Sequence, residues 1–245
     1  MTNNRRTLAR CLWAGVLLFT AWAGTGFAAD IPCPRPTQIS FPAQVAFRVY
    51  DPQVVFRHDV DLFGLPRVEG HMEIPPQGWV LQGVTITNEH LDLKLKTFKQ
   101  NLPDGRVCVW LIAVEATLGM PEQHVYVAKD YPDYSCEYRS VLAHENKHVE
   151  INRRVVHSFA DRMRKALEDG VAKTNPLIFS SRNVMDSQIT GFLYYLMRPT
   201  RDAMHAELKQ ENGALDTPAA YIREHAESGC KNWFPNGVPA YAKRR

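Results

Sequence analysis

The amino-acid sequence predicts an α+β fold, an antiparallel β-rich first half packed on a helical second half, in one domain over residues 29–245. Three observations lead to this class. Between Ile31 and Asp130 apolar residues alternate, or cluster in short runs separated by Pro and Gly. From Ser135 onward they recur at spacings of three and four. No internal repeat or low-complexity linker divides the two halves, and the length suits a single sizeable core.

Residues 1–28 read as a signal peptide. Arg5, Arg6 and Arg10 form a basic start, Leu12 to Phe27 is apolar, and Gly26-Phe27-Ala28 offers small residues where a signal peptidase reads them. Cys11 to Ala29 is close to the lower limit for a membrane anchor, but Asp30-Ile31-Pro32 favours cleavage. A periplasmic or secreted protein with no membrane span after cleavage is the expectation. The whole chain carries 29 Lys plus Arg against 26 Asp plus Glu, and the leader holds three arginines and no acid. The mature balance is therefore neutral, with no basic block to argue for nucleic acid or an anionic membrane. Cleavage leaves Cys33, Cys108, Cys136 and Cys230. An even number in an exported chain points to disulfides, and of three possible pairings Cys33 with Cys108 and Cys136 with Cys230 keeps each bridge within one half. Their spacings include no C-x-x-C, which argues against a cysteine zinc site.

Pro32, Pro34 and Pro36 make an extended lead-in. Strands are predicted at Val45–Tyr50, Val54–Phe56, Trp79–Leu81 and Val84–Thr87. Leu91–Lys96 alternates strictly, so it is a strand with one wet face. Asn101–Gly105 turns the chain into Val107–Val114, the most apolar strand, and Val125–Ala128 is the last. Ser135 is the expected N-cap of a helix running to about Glu168, with Asp169-Gly170 as its stop. A second helix is expected from Val184 to Met197. Pro199-Thr200 restarts the chain into a third, Arg201–Glu211, closed by Asn212-Gly213. Thr217-Pro218 opens a fourth, ended by Gly229.

The chemistry concentrates in the first helix, which contains His144-Glu145-Asn146-Lys147-His148, an H-E-x-x-H pattern. Histidines four apart on a helix lie one turn above each other, so both imidazoles can reach one metal ion, with Glu145 beside it to act on a bound water. Val141, Val149, Val156, Phe159, Met163 and Leu167 define the buried face, and both histidines fall on or beside it. The plain alternative is two core-edge histidines satisfied by hydrogen bonds. A catalytic zinc needs a third protein ligand. The metzincin continuation fails, because Ile151 and Arg154 stand where Gly and His are needed, and His157 falls on the solvent side. The candidates lie on the third helix, where Asp202, His205, Glu207 and Glu211 fall within ten residues, although a dense polar face there is also what a solvated helix looks like.

H-E-x-x-H followed by an acid on a later helix resembles the gluzincin class of zinc metallopeptidases. That resemblance implies a zincin-like fold, Glu207 as third ligand, and Glu211 as the acid orienting the first histidine, with E-x-x-x-E in place of the usual E-x-x-x-D. Cys108-Val109-Trp110 and Cys136-Glu137-Tyr138 also resemble a group of bacterial exported zinc-dependent proteases. The implied reaction is hydrolysis of peptide or protein substrates, with Zn2+ as cofactor and Glu145 as general base. Val125–Ala128 is a candidate edge strand for an extended peptide, and Tyr221 and His225 are candidates for stabilising the oxyanion. The competing functions are a zinc-binding protein without catalysis and a metal-free structural or adaptor protein of the bacterial envelope.

Overall fold

The structure is a computed structural model that describes residues 32–38, 41–70, 80–180 and 186–233. The leader, Trp79 and the start of the predicted second helix lie outside the described residues. The chain divides into Met1–Pro32 and Cys33–Arg245, and the second unit holds every element below. It is an α+β fold, with mixed sheets in the first half and three helices in the second among the described residues.

Three ribbons of chain build both sheets. The first is β1 (Gln44–Tyr50) and β2 (Gln53–Arg57), and the second is β3 (Gly83–Thr87) and β4 (His90–Asn101). The third is β5 (Val107–Gly119) and β6 (Glu122–Val127). The strand orders are β1-β5-β4 and β2-β6-β3, with short β7 (Leu177–Phe179) also pairing with β5. All three ribbons break at one level, at Asp51-Pro52, Asn88-Glu89 and Met120-Pro121. Pro52 and Pro121 at two of these breaks offer no N–H to a ladder, while the break at Asn88-Glu89 has no proline. The sheets are mixed rather than antiparallel as expected. β1 runs parallel to β5 and β2 parallel to β6, while β3 and β4 run antiparallel to the same two strands. Alternation along a strand shows which faces are wet but not which way its neighbour runs, so the sequence left this open.

The helices are fewer and longer than expected. α1 (Cys136–Thr174) begins where Ser135 accepts a hydrogen bond from the Tyr138 amide, but it runs through Gly170. That glycine is a contact point: a Cβ there would meet Leu196 Cδ1 at 2.5 Å. α2 (Asp186–Leu215) is one helix with Pro199 inside, so the predicted break at Pro199-Thr200 is absent. Burial of Ile189, Leu193, Met197 and Met204 along one stripe spans the proline, and packing overrides the local breaker. α3 (Pro218–Ser228) has the expected Thr217 cap, Pro218 at its start and Gly229 in the left-handed region at φ 67°.

The main core lies between β5 and the inner faces of α1 and α2, where Leu111, Leu118, Phe159, Met163 and Leu193 are fully buried. A second cluster joins Leu62, Leu65, Ile86 and Val127 to Val141, one turn before the histidine pair. It seats α1 on the smaller sheet. Cys33 pairs with Cys108 and Cys136 with Cys230, the pairings expected from sequence. Two disulfides accord with folding outside the reducing cytosol. No described helix is long and apolar enough to cross a membrane.

Candidate metal centre

His144 and His148 are 4% and 8% exposed, so helical spacing has delivered both rings to the covered side of α1. Their Nε2 atoms stand 3.3 Å apart. A carboxylate oxygen completes a triangle: Asp216 Oδ1 is 3.1 Å from His144 Nε2 and 3.0 Å from His148 Nε2. Donors about 2.05 Å from a tetrahedral zinc are themselves about 3.3 Å apart, so three protein atoms already sit at three corners of such a tetrahedron.

The outer nitrogens are held as a metal site requires. His144 Nδ1 is 2.7 Å from Glu224 Oε2, which also accepts through its other oxygen from Lys147. His148 Nδ1 donates to Asn212 Oδ1 at 2.7 Å. That amide oxygen can only accept, because the Nδ2 end is committed to Asn152 Oδ1 and Leu208 O. With the ring proton on Nδ1, each neutral imidazole turns an Nε2 lone pair toward Asp216. Three acceptor atoms then face one point, an arrangement that could hold a metal cation. Without one, protons must serve, and two N–H groups 3.3 Å apart would oppose each other.

The titration shifts follow from this crowding. Burial works to lower the pKa of His148, but its hydrogen bond to Asp216 and the charges of Glu145 and Asp216 outweigh it, and the pKa is pushed up to about 9. His144 is raised against its burial in the same way by Asp216, Glu145 and Glu224. Burial opposes ionisation of Asp216 too, yet the two imidazoles and the Tyr221 hydroxyl hold it well below the usual carboxylate range. In the metal-free chain the His148 contribution to stability is therefore complete below pH 6.5 and lost as pH rises through about 9. Affinity for a divalent metal has the opposite slope, because both rings must be deprotonated to ligate. Urea unfolding in chelator between pH 6 and 10 should show falling stability from this pair, and calorimetric zinc titration over the same range should show rising affinity.

Glu145 is 3% exposed, and burial raises its pKa to about 7 against the pull of both imidazoles and Thr85. Thr85 Oγ1 donates to Glu145 Oε2 at 2.8 Å. Gly83 leaves room for the other oxygen, since a Cβ there would stand 2.6 Å from Glu145 Oε1. Both residues belong to β3, which ends the smaller sheet. Its outer edge, unpaired among the described residues, lines a cleft of about 440 Å³ with Glu145, His148, Asn212, Asp216 and Tyr221. β6, the strand expected to lie at an edge, is paired on both sides.

The third member of the cluster is Asp216, where the sequence pointed to Glu207 or His205. Neither of those reaches the histidines. His205 pairs with Glu89 at the β3–β4 turn, and Glu89 also accepts from Arg201. Glu211 is bonded to Arg154 of α1, and Glu207 lies in the field of the same arginine. The reason is helical phase. α2 turns Met204, Leu208 and Asn212 inward, and Asp216 continues that stripe with its amide donating to Asn212 O. Glu207 and Glu211 are about 100° away. The i, i+4 stripe was the available signal, hidden because Asn212-Gly213 read as a helix stop. Tyr221 is at the cleft, donating to Asp216 Oδ1 and stacked on His144. His225 is instead stacked on Trp233 with ring centroids 3.8 Å apart.

Exchanging Asp216 for Ala is expected to weaken divalent-metal binding by more than the roughly hundredfold that loss of a supporting hydrogen bond costs. Glu207→Ala should leave binding within a few fold, and competition against a chromogenic chelator measures both. In comparisons with known proteins, no protein-family model, curated protein or solved structure matches this chain.

Proposed function

We propose that this chain is an exported zinc-dependent metallopeptidase with a zincin-like site, in which His144, His148 and Asp216 hold the metal and Glu145 is the general base. The observation that carries the reading is the meeting of three lone-pair atoms, each donor within 3.3 Å of the others, beside a buried carboxylate at the wall of an open cleft. A structural zinc would be closed off by a fourth side chain, whereas among the described residues three donors meet beside a cleft, which leaves one position for a water or a carbonyl.

Zinc bound there would lower the pKa of a water toward about 7 and polarise the carbonyl of a peptide bond. The remaining work falls to the protein. Glu145 takes a proton from the attacking water and passes it to the departing amine. Thr85 and the space at Gly83 hold its carboxylate in one orientation. Glu224 and Asn212 keep the imidazole protons on the outer nitrogens. The outer edge of β3, unpaired among the described residues, offers backbone groups along the cleft, so an extended peptide can add as a further strand.

The test uses the disulfide-bonded protein, stripped with chelator, then reloaded with one equivalent of zinc and assayed on an unfolded protein substrate. Cleavage that vanishes on stripping and returns on reloading is the expected result. Tight zinc binding with no cleavage of any polypeptide would instead make this a zinc-binding protein of the envelope.

A further inference from the structure

The geometry points to Asn152 as a positioning residue for the metal centre, setting the direction of the Asn212 amide and through it the ring tautomer of His148. This rests on the metal reading above and deepens it.

The two ends of an asparagine amide are nearly the same size and opposite in polarity. Asn212 therefore fits its site either way round, and only its partners choose. In the observed direction Oδ1 accepts from His148 Nδ1 at 2.7 Å. Reversed, the Nδ2 hydrogens would face Nδ1, which would have to become an acceptor. The ring proton would then move to Nε2 and occupy the lone pair needed for ligation. Two acceptors hold Nδ2 away from His148: Leu208 O at 2.9 Å and Asn152 Oδ1 at 3.0 Å. The first is a helix carbonyl one turn back, already serving the backbone ladder. The second is a side chain, 4% exposed, whose Oδ1 in its observed direction would meet Asn212 oxygen to oxygen if that amide turned over alone, so a reversal at Asn212 requires Asn152 to reverse with it.

Asn152 also sits one turn beyond His148 on α1, so His144, His148 and Asn152 form a ladder at steps of four. One helix thus supplies two donors and the residue that orients the support of the second donor from α2. The residue lines the cleft with His148 and Asn212, and its oxygen reaches the metal site through Asn212. A simple packing bond between α1 and α2 would use the same atoms without influencing the ring.

The experiment separates these by comparing wild type, Asn152→Leu and Asn152→Asp in the disulfide-bonded chain. Zinc affinity is measured by chelator competition, and the His148 tautomer by ring-nitrogen NMR of the metal-free protein at alkaline pH. Asn152→Leu is expected to bind zinc roughly 10- to 100-fold more weakly and to show a mixture of tautomers. Asn152→Asp keeps an acceptor and should bind at least as tightly as wild type, with the proton on Nδ1. Wild-type affinity and tautomer in Asn152→Leu would overturn the assignment, and so would equal losses in Asn152→Asp. If Asn152→Leu does not fold, Asn152→Ala serves the same comparison. A wild-type chain that binds no zinc sinks the metal reading, while the tautomer comparison still decides the role of Asn152.

Discussion

Glu145→Gln is expected to slow peptide hydrolysis by roughly a hundred- to ten-thousandfold while leaving zinc content unchanged. The amide is isosteric with the carboxylate, and its oxygen can still accept from Thr85 Oγ1, so the bond that orients the side chain survives. What disappears is the capacity to take a proton. A carboxylate can accept the proton of a water and then surrender it to the amine, and an amide can do neither. A charge-neutral replacement 3% exposed should also cost little stability, because no ion is left unpaired by it. Elemental analysis together with kcat/KM on a peptide substrate checks the outcome. A fully zinc-loaded variant as fast as wild type would remove Glu145 from the mechanism.

Breaking the Cys136–Cys230 bridge, as Cys136→Ser with Cys230→Ser, should cost roughly 2–5 kcal/mol of stability, because the bond closes a long loop of the unfolded chain. The two residues are 94 positions apart in sequence. Its second effect is local. Asp216, Tyr221 and Glu224 all ride on the segment that this bridge closes, and within it α3 buries only Ala220 fully. Besides the bridge, polar and aromatic contacts hold the arm: Lys147 with Glu224, the Asn232 amide on Glu137, and Trp233 against Tyr131. Loss of the bridge should therefore weaken metal binding as well as lower the unfolding midpoint. Removing Cys33–Cys108, whose partners lie away from the cleft, should affect stability alone. Paired denaturation and chelator-competition curves on the two double variants distinguish the effects.

Much of the site was legible because its chemistry is local. His144, Glu145 and His148 are fixed relative to one another by helix geometry, so their spacing sufficed to place them together on the covered side of α1. Asp216 and Glu224 come from chain 68 or more residues away, and their approach depends on how α2 and α3 pack. Nothing in the local pattern around Glu207 tells it apart from Asp216, since both are acids among polar neighbours. The choice is made by the phase of a helix that continues through Pro199. The same cause merged two predicted helices into one: a buried stripe on both sides of the proline outweighs the single lost backbone hydrogen bond. Gly170 misled in the opposite direction, reading as a terminator when its lack of a side chain admits Leu196. Strand positions were legible from alternation, but parallel pairing of β1 with β5 joins segments over 60 residues apart and leaves no mark in either. Cysteine pairing was readable because each bridge stays within one half of the fold.

The claim on which the rest depends is that His144, His148 and Asp216 share one divalent ion. X-ray absorption at the zinc edge of the reloaded protein, repeated on Asp216→Ala, tests it directly. Two imidazole nitrogens and at least one oxygen at about 2.0–2.2 Å are expected in the wild type, with a weakened and altered first shell in the variant. A spectrum unchanged by Asp216→Ala, or a first shell containing fewer than two imidazoles, would contradict it.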